Sequence, residues 1–274
     1  GANSFDATAS GALANGDPVI LNANGTVSKP SVTLSANDPA TFGYTANTNQ
    51  GSRTINGTGT TYSLSAAYNS NTGTTGAGAF LTVFRDSSDS GIAKGNMMTI
   101  RSDGELNVEG EFSFGQITAG SRDMDVCFNE PLNIFVATYT HEAGNVSVKA
   151  CTPNGARTVS LGSTYTVTSS TSVPRIATDN NNDPYNFVVA YLNTGDSSLR
   201  VKPMQFSSAT GAFTMGSETT IESSSCAGGH HIVYDSTNNK FILTYANTGD
   251  NKNIKVKVLT FDGSNNSLSV GSEV

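Results

Sequence analysis

Apolar and polar residues alternate along most of this chain with the period of two that is typical of half-buried β-strands. From about residue 62 the alternation falls into four units of about fifty residues, each with four strand-like segments. The second segment is the most regular, because a Phe leads it and a second aromatic follows four residues later. These pairs are Phe80 and Phe84, Phe135 and Tyr139, Phe187 and Tyr191, and Phe241 and Tyr245. The lead phenylalanines are 55, 52 and 54 residues apart.

The other segments of each unit repeat less strictly. Residues four apart share one face of a strand, so each aromatic pair is expected to pack against a neighbouring sheet. Polar turns rich in Asn, Asp and Pro follow the first segment in three units, at 129–131, 179–184 and 235–239. The third segments at 199–206 and 254–261 begin with alternating apolar and basic residues, which predicts half-exposed strands. A glycine marks the fourth segment, at Gly115, Gly162, Gly216 and Gly271.

Four strands in about fifty residues are the dimensions of a β-propeller blade, so we predict an all-β, propeller-like array of four-stranded repeats. A β-sandwich or stacked-sheet array would alternate equally well, but it does not explain why one four-strand pattern recurs at a near-constant period. The predicted units are about 62–121, 122–171, 172–225 and 226–274.

Residues 1–61 do not fit the repeat and predict a small N-terminal β module or arm. Residues 18–28 indicate a hairpin with an Asn-Gly turn at Asn24, residues 31–34 a further short strand, and residues 36–39 a turn. The last unit stops soon after its Gly-Ser step, so its final strand is expected to be incomplete. Either an N-terminal strand closes a four-bladed ring or the chain is part of a longer array with more blades, and we favour the longer array.

Composition narrows the class of protein. Apolar residues make up 36% and charged residues 14%, and Ser, Thr, Asn and Gly fill the difference, which is common in extracellular and virion proteins. The net charge of −7 disfavours nucleic-acid binding. No apolar run is long enough to insert in a membrane. Of the three cysteines, Cys127 and Cys151 fall in one unit and could pair, or two or three of the cysteines could be buried free thiols.

Candidate chemistry is sparse. His141, His230 and His231 occur in no metal-binding frame, and adjacent His230 and His231 should point to opposite faces, so we expect surface or channel-lining roles. The run 179–183 resembles a calcium loop superficially, but Pro184 stands where a glycine is needed. No nucleophile elbow is present. With 22 acidic residues, carboxylate pairs of the kind glycosidases use are inevitable and uninformative. We therefore assign no catalytic, cofactor-binding or metal residue and expect no enzyme.

The turns between second and third strands are polar and acidic, at 85–90, 194–197 and 248–251. In a propeller they would gather on one rim, where they could bind a glycan or a receptor, or could simply be solvated hairpin tips. The candidate receptor-facing residues are Asp86, Asp89, Asp196 and Asp250.

Two stretches carry a resemblance to a known class of protein. The leader at 11–28, GALANGDPVILNANGTVS, is similar to hairpins that open phage fibre and appendage proteins. The stretch 233–245, VYDSTNNKFILTY, resembles propeller-like repeats that follow such leaders in tailed bacteriophages, particularly marine ones. The resemblance covers almost the whole chain and brings no catalytic residues. There is no Trp, and no kelch-type double glycine precedes the blades, so no sialidase-like or lectin-like site is carried over.

The resemblance implies a virion-surface protein: a tail fibre, a spike or a capsid appendage serving assembly or host attachment. Its expected location is the virion, and its expected partners are other virion proteins, copies of itself in a homo-oligomer, and a host receptor or glycan. Two alternatives are a secreted bacterial adhesin or glycan-binding surface protein, and a propeller glycosidase.

Overall fold

In the computed structural model the chain divides into two compact units, 1–51 and 52–274. The sequence had predicted a boundary ten residues later, after residue 61. The structure describes residues 8, 9, 11, 12, 20–22, 26–28, 61–71, 76–89, 91–100, 106–108, 110–116, 123–141, 144–155, 157–169, 171–180, 185–223, 226–251 and 253–272. Within these residues no helix is long and apolar enough to cross a membrane.

The first unit contains a short antiparallel hairpin formed by strands β1 (Ile20–Leu21) and β2 (Val27–Ser28). The backbone amide of Asn22 donates to the carbonyl of Thr26 at 2.8 Å, which holds the two arms together. This is the hairpin expected from the leader sequence. Its Asn-Gly turn, the strand predicted at 31–34 and the turn predicted at 36–39 lie outside the described residues.

The second unit is all-β and propeller-like, with four antiparallel sheets in which the first four strands of each follow one another in chain order. Sheet I consists of β3 (Thr61–Tyr68), β4 (Ala79–Asp86), β5 (Ile92–Ile100), β6 (Leu106–Val108) and β7 (Phe112–Gln116). Sheet II consists of β8 (Met124–Asn129), β9 (Ile134–His141), β10 (Asn145–Pro153) and β11 (Val159–Thr168). Sheet III consists of β12 (Thr171–Thr178), β13 (Asn186–Asn193), β14 (Leu199–Ser207), β15 (Ala212–Met215) and β16 (Thr219–Glu222). Sheet IV consists of β17 (Cys226–Asp235), β18 (Lys240–Asn247), β19 (Asn253–Asp262) and β20 (Ser267–Val270). The fifth strands of sheets I and III pair with the third strand of the same sheet.

The sheets stack through three hydrophobic cores, one between each pair of consecutive sheets. Every sheet from II to IV turns its aromatic pair toward the sheet before it, as the spacing of the aromatics predicts. The face toward the following sheet is aliphatic in sheet III, whereas Phe114 in sheet I and Tyr165 in sheet II add an aromatic ring to that face. The aromatic pairs in the three cores are Phe135 and Tyr139, Phe187 and Tyr191, and Phe241 and Tyr245. All six side chains are at most 2% exposed, so they are the largest single contributors to apolar burial between the sheets.

Lysines on the third strands of sheets II and III link each of these two sheets to the one before it. The ammonium of Lys149 donates to the carbonyl of Phe114 at 3.0 Å, and that of Lys202 donates to the carbonyl of Val167 at 2.8 Å. The alternating basic pattern had predicted half-exposed strands, and Leu199–Ser207 does alternate between buried and half-buried positions over its first four residues. The half-buried Lys202 bonds to the preceding sheet, because a lysine stem can cover apolar surface while its head reaches a carbonyl.

The outer strand differs between sheets III and IV. In sheet III, β14 pairs with β15 at one end and with β16 at the other. In sheet IV, β20 pairs with Leu259–Asp262 at one end of β19, and among the described residues no strand corresponding to β16 pairs at the other end. Gly216, one of the glycine markers, approaches the backbone of sheet IV so closely that a Cβ there would collide with the carbonyl oxygen of Asn266. This glycine is required by close packing between two sheets.

All three cysteines are free. Burial raises the pKa of the Cys127 thiol well above its usual value, and raises that of Cys151 to about 12 and that of Cys226 to about 11. The possible bond between Cys127 and Cys151 is absent, and the alternative of free thiols that pack as small hydrophobes describes the structure.

Candidate functional site

The first of the acidic loops that sequence reasoning placed at the surface is tied down by an ion-pair cluster. Asp86 is 3% exposed, and its carboxylate accepts from the backbone and the hydroxyl of Ser88 and from Lys94. Lys94 also pairs with Asp89 at 2.9 Å and with Glu111 at 2.5 Å. Asp86 was expected to face a receptor, but it is buried and holds Lys94 instead, so this expectation is corrected.

The protonation of this cluster follows from its contacts. Hydrogen bonds from Ser88 and then Lys94 outweigh burial and hold the pKa of Asp86 well below its usual value. Burial alone would lower the pKa of Lys94, but hydrogen bonds to Glu111, Asp86 and Asp89 raise it instead. Asp86 and Lys94 are therefore both charged at neutral pH.

The other two loops also use their acids to shape turns. Asp196 accepts from the backbone and the hydroxyl of Ser198 and pairs with Arg200 at 2.5 Å. Asp250 lies 3.7 Å from Lys255. Both acids are exposed, so they can face solvent, yet their partners already account for their presence. Binding of a receptor by Asp89, Asp196 or Asp250 stays a prediction.

A different polar group emerges at the centre of the stack. The first strands of all four sheets line one cavity of about 540 Å³, and a second cavity of about 270 Å³ shares three of its lining residues. Ser65, Asp125, Arg175 and His231 all line the smaller cavity, one from each sheet. Strand pairing shows that they occupy the same position in the repeat, because each lies opposite the residue three places after the lead Phe of its second strand.

Asp125 is the most constrained member of this ring. One carboxylate oxygen accepts from the hydroxyl of Ser65 at 2.7 Å and from the amide of Val126 at 2.9 Å. The other accepts from the amide of Ile176 at 3.0 Å. Asp125 is 7% exposed and thereby joins the inner strands of three sheets.

Arg175 of the ring pairs with Asp123, which lines the same smaller cavity. A guanidinium nitrogen of Arg175 lies 3.4 Å from a carboxylate oxygen of Asp123, and the side chains are 22% and 29% exposed respectively. Arg175 also donates to the carbonyl of Pro174 at 2.8 Å, which fixes its direction. The smaller cavity thus places a donor fork beside an acceptor.

Irregular backbone positions these side chains. The pairing of the inner strand slips directly before the ring residue in sheets I and III, and between Cys226 and His230 in sheet IV. Ser63 and Val173 have φ values of 52° and 55° in the slipped stretches of sheets I and III. A positive φ is unfavourable for a β-branched residue such as Val173. Bulges of this kind redirect side chains and are frequent next to binding and active sites.

The histidines are placed partly as expected. His230 is buried and His231 is exposed, so the two adjacent residues do point to opposite faces, and His231 lines the cavities. Burial, followed by the charge of Arg175, lowers the pKa of His230 to about 4. Among the described residues no group of three His, Cys, Asp or Glu could hold a metal ion. Most of the calcium-like run at 179–183 lies outside the described residues.

The sequence contained a signal for this ring that our reading of single motifs missed. The two positions that follow the ring residue are small or apolar in every inner strand, whereas the ring position is polar in all four and different in each. The apolar positions are Ala66 and Ala67, Val126 and Cys127, Ile176 and Ala177, and Ile232 and Val233. Comparing the units column by column would have revealed the odd position.

Comparisons with known proteins found no matching family model and no matching curated protein. Solved structures similar to this chain include a protein from Lactobacillus plantarum, at 13% identity and a TM-score of 0.48, over 71% of this chain and 54% of that one. Sqt1 of Saccharomyces cerevisiae is 12% identical with a TM-score of 0.49, over 80% and 49%. An exo-β-1,3-galactanase of Phanerochaete chrysosporium is 14% identical with a TM-score of 0.40, over 72% and 47%. The chain spans about half the length of these proteins.

Proposed function

We propose that this chain is a non-enzymatic structural protein of a virion, a tail fibre, spike or capsid appendage that serves assembly or attachment to a host surface. The sequence resemblance to phage appendage proteins motivates the proposal. The structural observation that supports an assembly role is the outward face of sheet IV, the face turned away from sheet III.

This outward face has the composition of a buried interface. Strand pairing places these residues on one side of the sheet: His231, Val233, Ile242, Thr244, Ala246, Ile254, Val256 and Val258. None of them is acidic or basic apart from His231. Val233 is 47% exposed and Ile254 is 79% exposed. Exposed apolar surface on a sheet commonly marks a contact with another protein.

The same positions are buried in the sheets that have a following neighbour. The residues equivalent to Ile242, Ile254 and Val256 lie in the core between sheets II and III or in the core between sheets III and IV. They are Val136, Val146 and Val148 in sheet II, and Val188, Leu199 and Val201 in sheet III. Sheet IV therefore presents the surface that its neighbours use for packing, which supports a role in assembly with other virion proteins or with further copies.

The proposal is tested on purified virus particles. Immunogold labelling with an antibody against this chain should decorate particles, and mass spectrometry should detect the chain in them. In a complementation assay, Ile254→Lys should reduce incorporation into particles because it places a charge on the outward face. Val270→Lys is the matched control, since Val270 is an exposed apolar residue of the same sheet that pairs with the core residue Leu259.

Three outcomes would contradict the proposal. The chain could be found only on cells that lack virions, which would favour the secreted adhesin. It could hydrolyse a polysaccharide and lose that activity in Asp123→Asn, which would favour a glycosidase. Finally, Ile254→Lys and Val270→Lys could enter particles equally well, which would remove the assembly role of the outward face.

A further inference from the structure

We propose that the cavity ringed by Ser65, Asp125, Arg175 and His231 binds a neutral, hydroxyl-rich ligand, that is, a saccharide. The inference rests on the proposed attachment role, because it names the ligand and the site through which attachment would occur. It places that site at the centre of the stack, away from the acidic loops that the sequence had suggested.

The ring position differs in character between the four repeats, unlike the two positions that follow it. A position that serves only packing should keep its character from sheet to sheet, and the two positions after the ring residue do so. The ring position instead carries a hydroxyl, a carboxylate, a guanidinium and an imidazole, and all four line the same cavity. Divergence at one column of an otherwise repetitive framework indicates a task that each sheet performs differently, as in a binding site built from several polar groups.

The backbone of the inner strands is irregular close to the ring residues. The pairing slips before Ser65 and Arg175, and before His230 next to His231, and side chains from these three sheets line the same cavity. The positive φ of Val173 has an energetic cost that a plain strand would avoid. Val173 lies two residues before Arg175 in β12, so we infer that this conformation helps to place the guanidinium.

The charged side chains at the smaller cavity favour a neutral ligand. Asp123 only accepts hydrogen bonds and Arg175 only donates them, and the two groups lie 3.4 Å apart. An anion attracted to Arg175 would meet the carboxylates of Asp123 and Asp125, and a cation attracted to the carboxylates would meet Arg175. A hydroxyl group both donates and accepts, so two neighbouring hydroxyls of a sugar satisfy both partners without introducing a like charge.

The volume of the two cavities suits a small molecule. The two cavities share Ser65, Asp125 and His231 and have volumes of about 270 Å³ and about 540 Å³. Together they fall in the range of roughly 300–1,000 Å³ that small-molecule sites occupy. The aromatic side chains of Phe128 and Tyr234 line the larger cavity, and apolar surface of this kind can pack against the carbon face of a sugar ring.

The test is ligand-observed NMR with the purified chain and glucose, galactose, mannose and N-acetylglucosamine as separate probes, with glucuronate and glucosamine as charged probes. We expect at least one neutral sugar to bind and both charged sugars to bind more weakly. Asp123→Ala and Arg175→Gln should each weaken binding on the order of tenfold, because each leaves a sugar hydroxyl without its partner.

The acidic loop of sheet III offers a matched control. Asp196 and Arg200 are also an acid and an arginine in contact, but they lie outside the cavity, so Asp196→Ala and Arg200→Gln should leave sugar binding unchanged. The inference is overturned if no neutral sugar binds, if a charged sugar binds more tightly, or if the loop variants lose binding while the cavity variants keep it. Circular dichroism checks folding, and Arg175→Lys provides a milder variant. Sugar binding by a chain absent from virions would refute the virion role and leave this inference standing.

Discussion

The hydroxyl of Ser65 in sheet I donates to the carboxylate of Asp125 in sheet II at 2.7 Å, while the other oxygen of that carboxylate accepts from the amide of Ile176 in sheet III. One buried side chain thus joins three consecutive sheets. Replacing it should destabilise the stack, because the buried amides of Val126 and Ile176 would lose their acceptor.

We expect Asp125→Ala to lower the free energy of unfolding by about 1–3 kcal/mol for each amide left without an acceptor. Asp125→Asn should cost less, since one oxygen remains. Urea denaturation followed by circular dichroism measures the change. Asp235→Ala is the control, because Asp235 caps an exposed turn. An Asp125→Ala variant as stable as this control would show that the three-sheet contact contributes nothing.

The cluster around Lys94 gives a second prediction. Lys94→Met should cost about 3–5 kcal/mol of unfolding free energy, since it leaves the buried carboxylate of Asp86 without its ammonium partner. Lys255→Met, which removes a long pair with the exposed Asp250, should cost under about 1 kcal/mol. Thermal or urea unfolding of the two variants compares them directly. Equal losses would mean that burial of the Lys94 cluster has no energetic weight.

Gly216 gives a third prediction. Gly216→Ala should cost about 1–3 kcal/mol, because the added Cβ collides with the backbone of Asn266 and forces sheets III and IV apart. Gly110→Ala should change stability by less than about 0.5 kcal/mol, since nothing lies within 4 Å of a Cβ at that position. The melting temperatures of the two variants decide the matter; a Gly216→Ala variant that melts with the wild type would contradict the close approach.

His230 predicts a dependence of stability on pH. Its pKa is lowered to about 4 from the ordinary 6.5, so between these values the unfolded chain binds a proton that the folded chain does not. Stability should therefore fall as the pH falls from about 6.5 to about 4, by up to about 1.4 kcal/mol per pH unit. Urea unfolding at pH 7.5 and pH 5 measures this loss above the range where carboxylates titrate.

The variant His230→Leu isolates this effect. It has no imidazole to protonate, so most of the difference in stability between pH 7.5 and pH 5 should disappear. His231→Leu is the control, because His231 is exposed, and it should keep the difference. A loss of stability that persists in His230→Leu would assign the pH dependence to another group.

The cysteines give a fifth prediction. Buried thiols with raised pKa values form little thiolate at pH 8, so iodoacetamide should label the folded chain slowly. After denaturation without reductant, mass spectrometry should find all three cysteines labelled. Incomplete labelling at Cys127 and Cys151 would indicate a disulfide between them.

Much of the fold was predictable from the sequence because its signals are local. The pair Phe187 and Tyr191 sits on one face of a single strand, and its volume and spacing alone predict a packing surface. The ring of polar residues around the cavity was not predictable in this way. Asp125 and His231 come together only because the sheets stack in order, and that order is a tertiary property. Asp86 likewise gains its charged partner only in the fold, where Lys94 of β5 pairs both with Asp86 and with Glu111, the residue before β7.

The three cores shared among four sheets make cooperativity a nearest-neighbour property. Sheets II and III each lose two packing partners when they open, whereas sheets I and IV each lose one such core among the described residues. Opening should therefore propagate inward from the ends, like fraying in a one-dimensional lattice. Amide hydrogen exchange should be slowest in β9 and β13 and faster in β18. A partner bound to sheet IV would slow amide hydrogen exchange in sheet IV first. It would also slow opening of the sheets behind it, because opening starts at the ends of the stack.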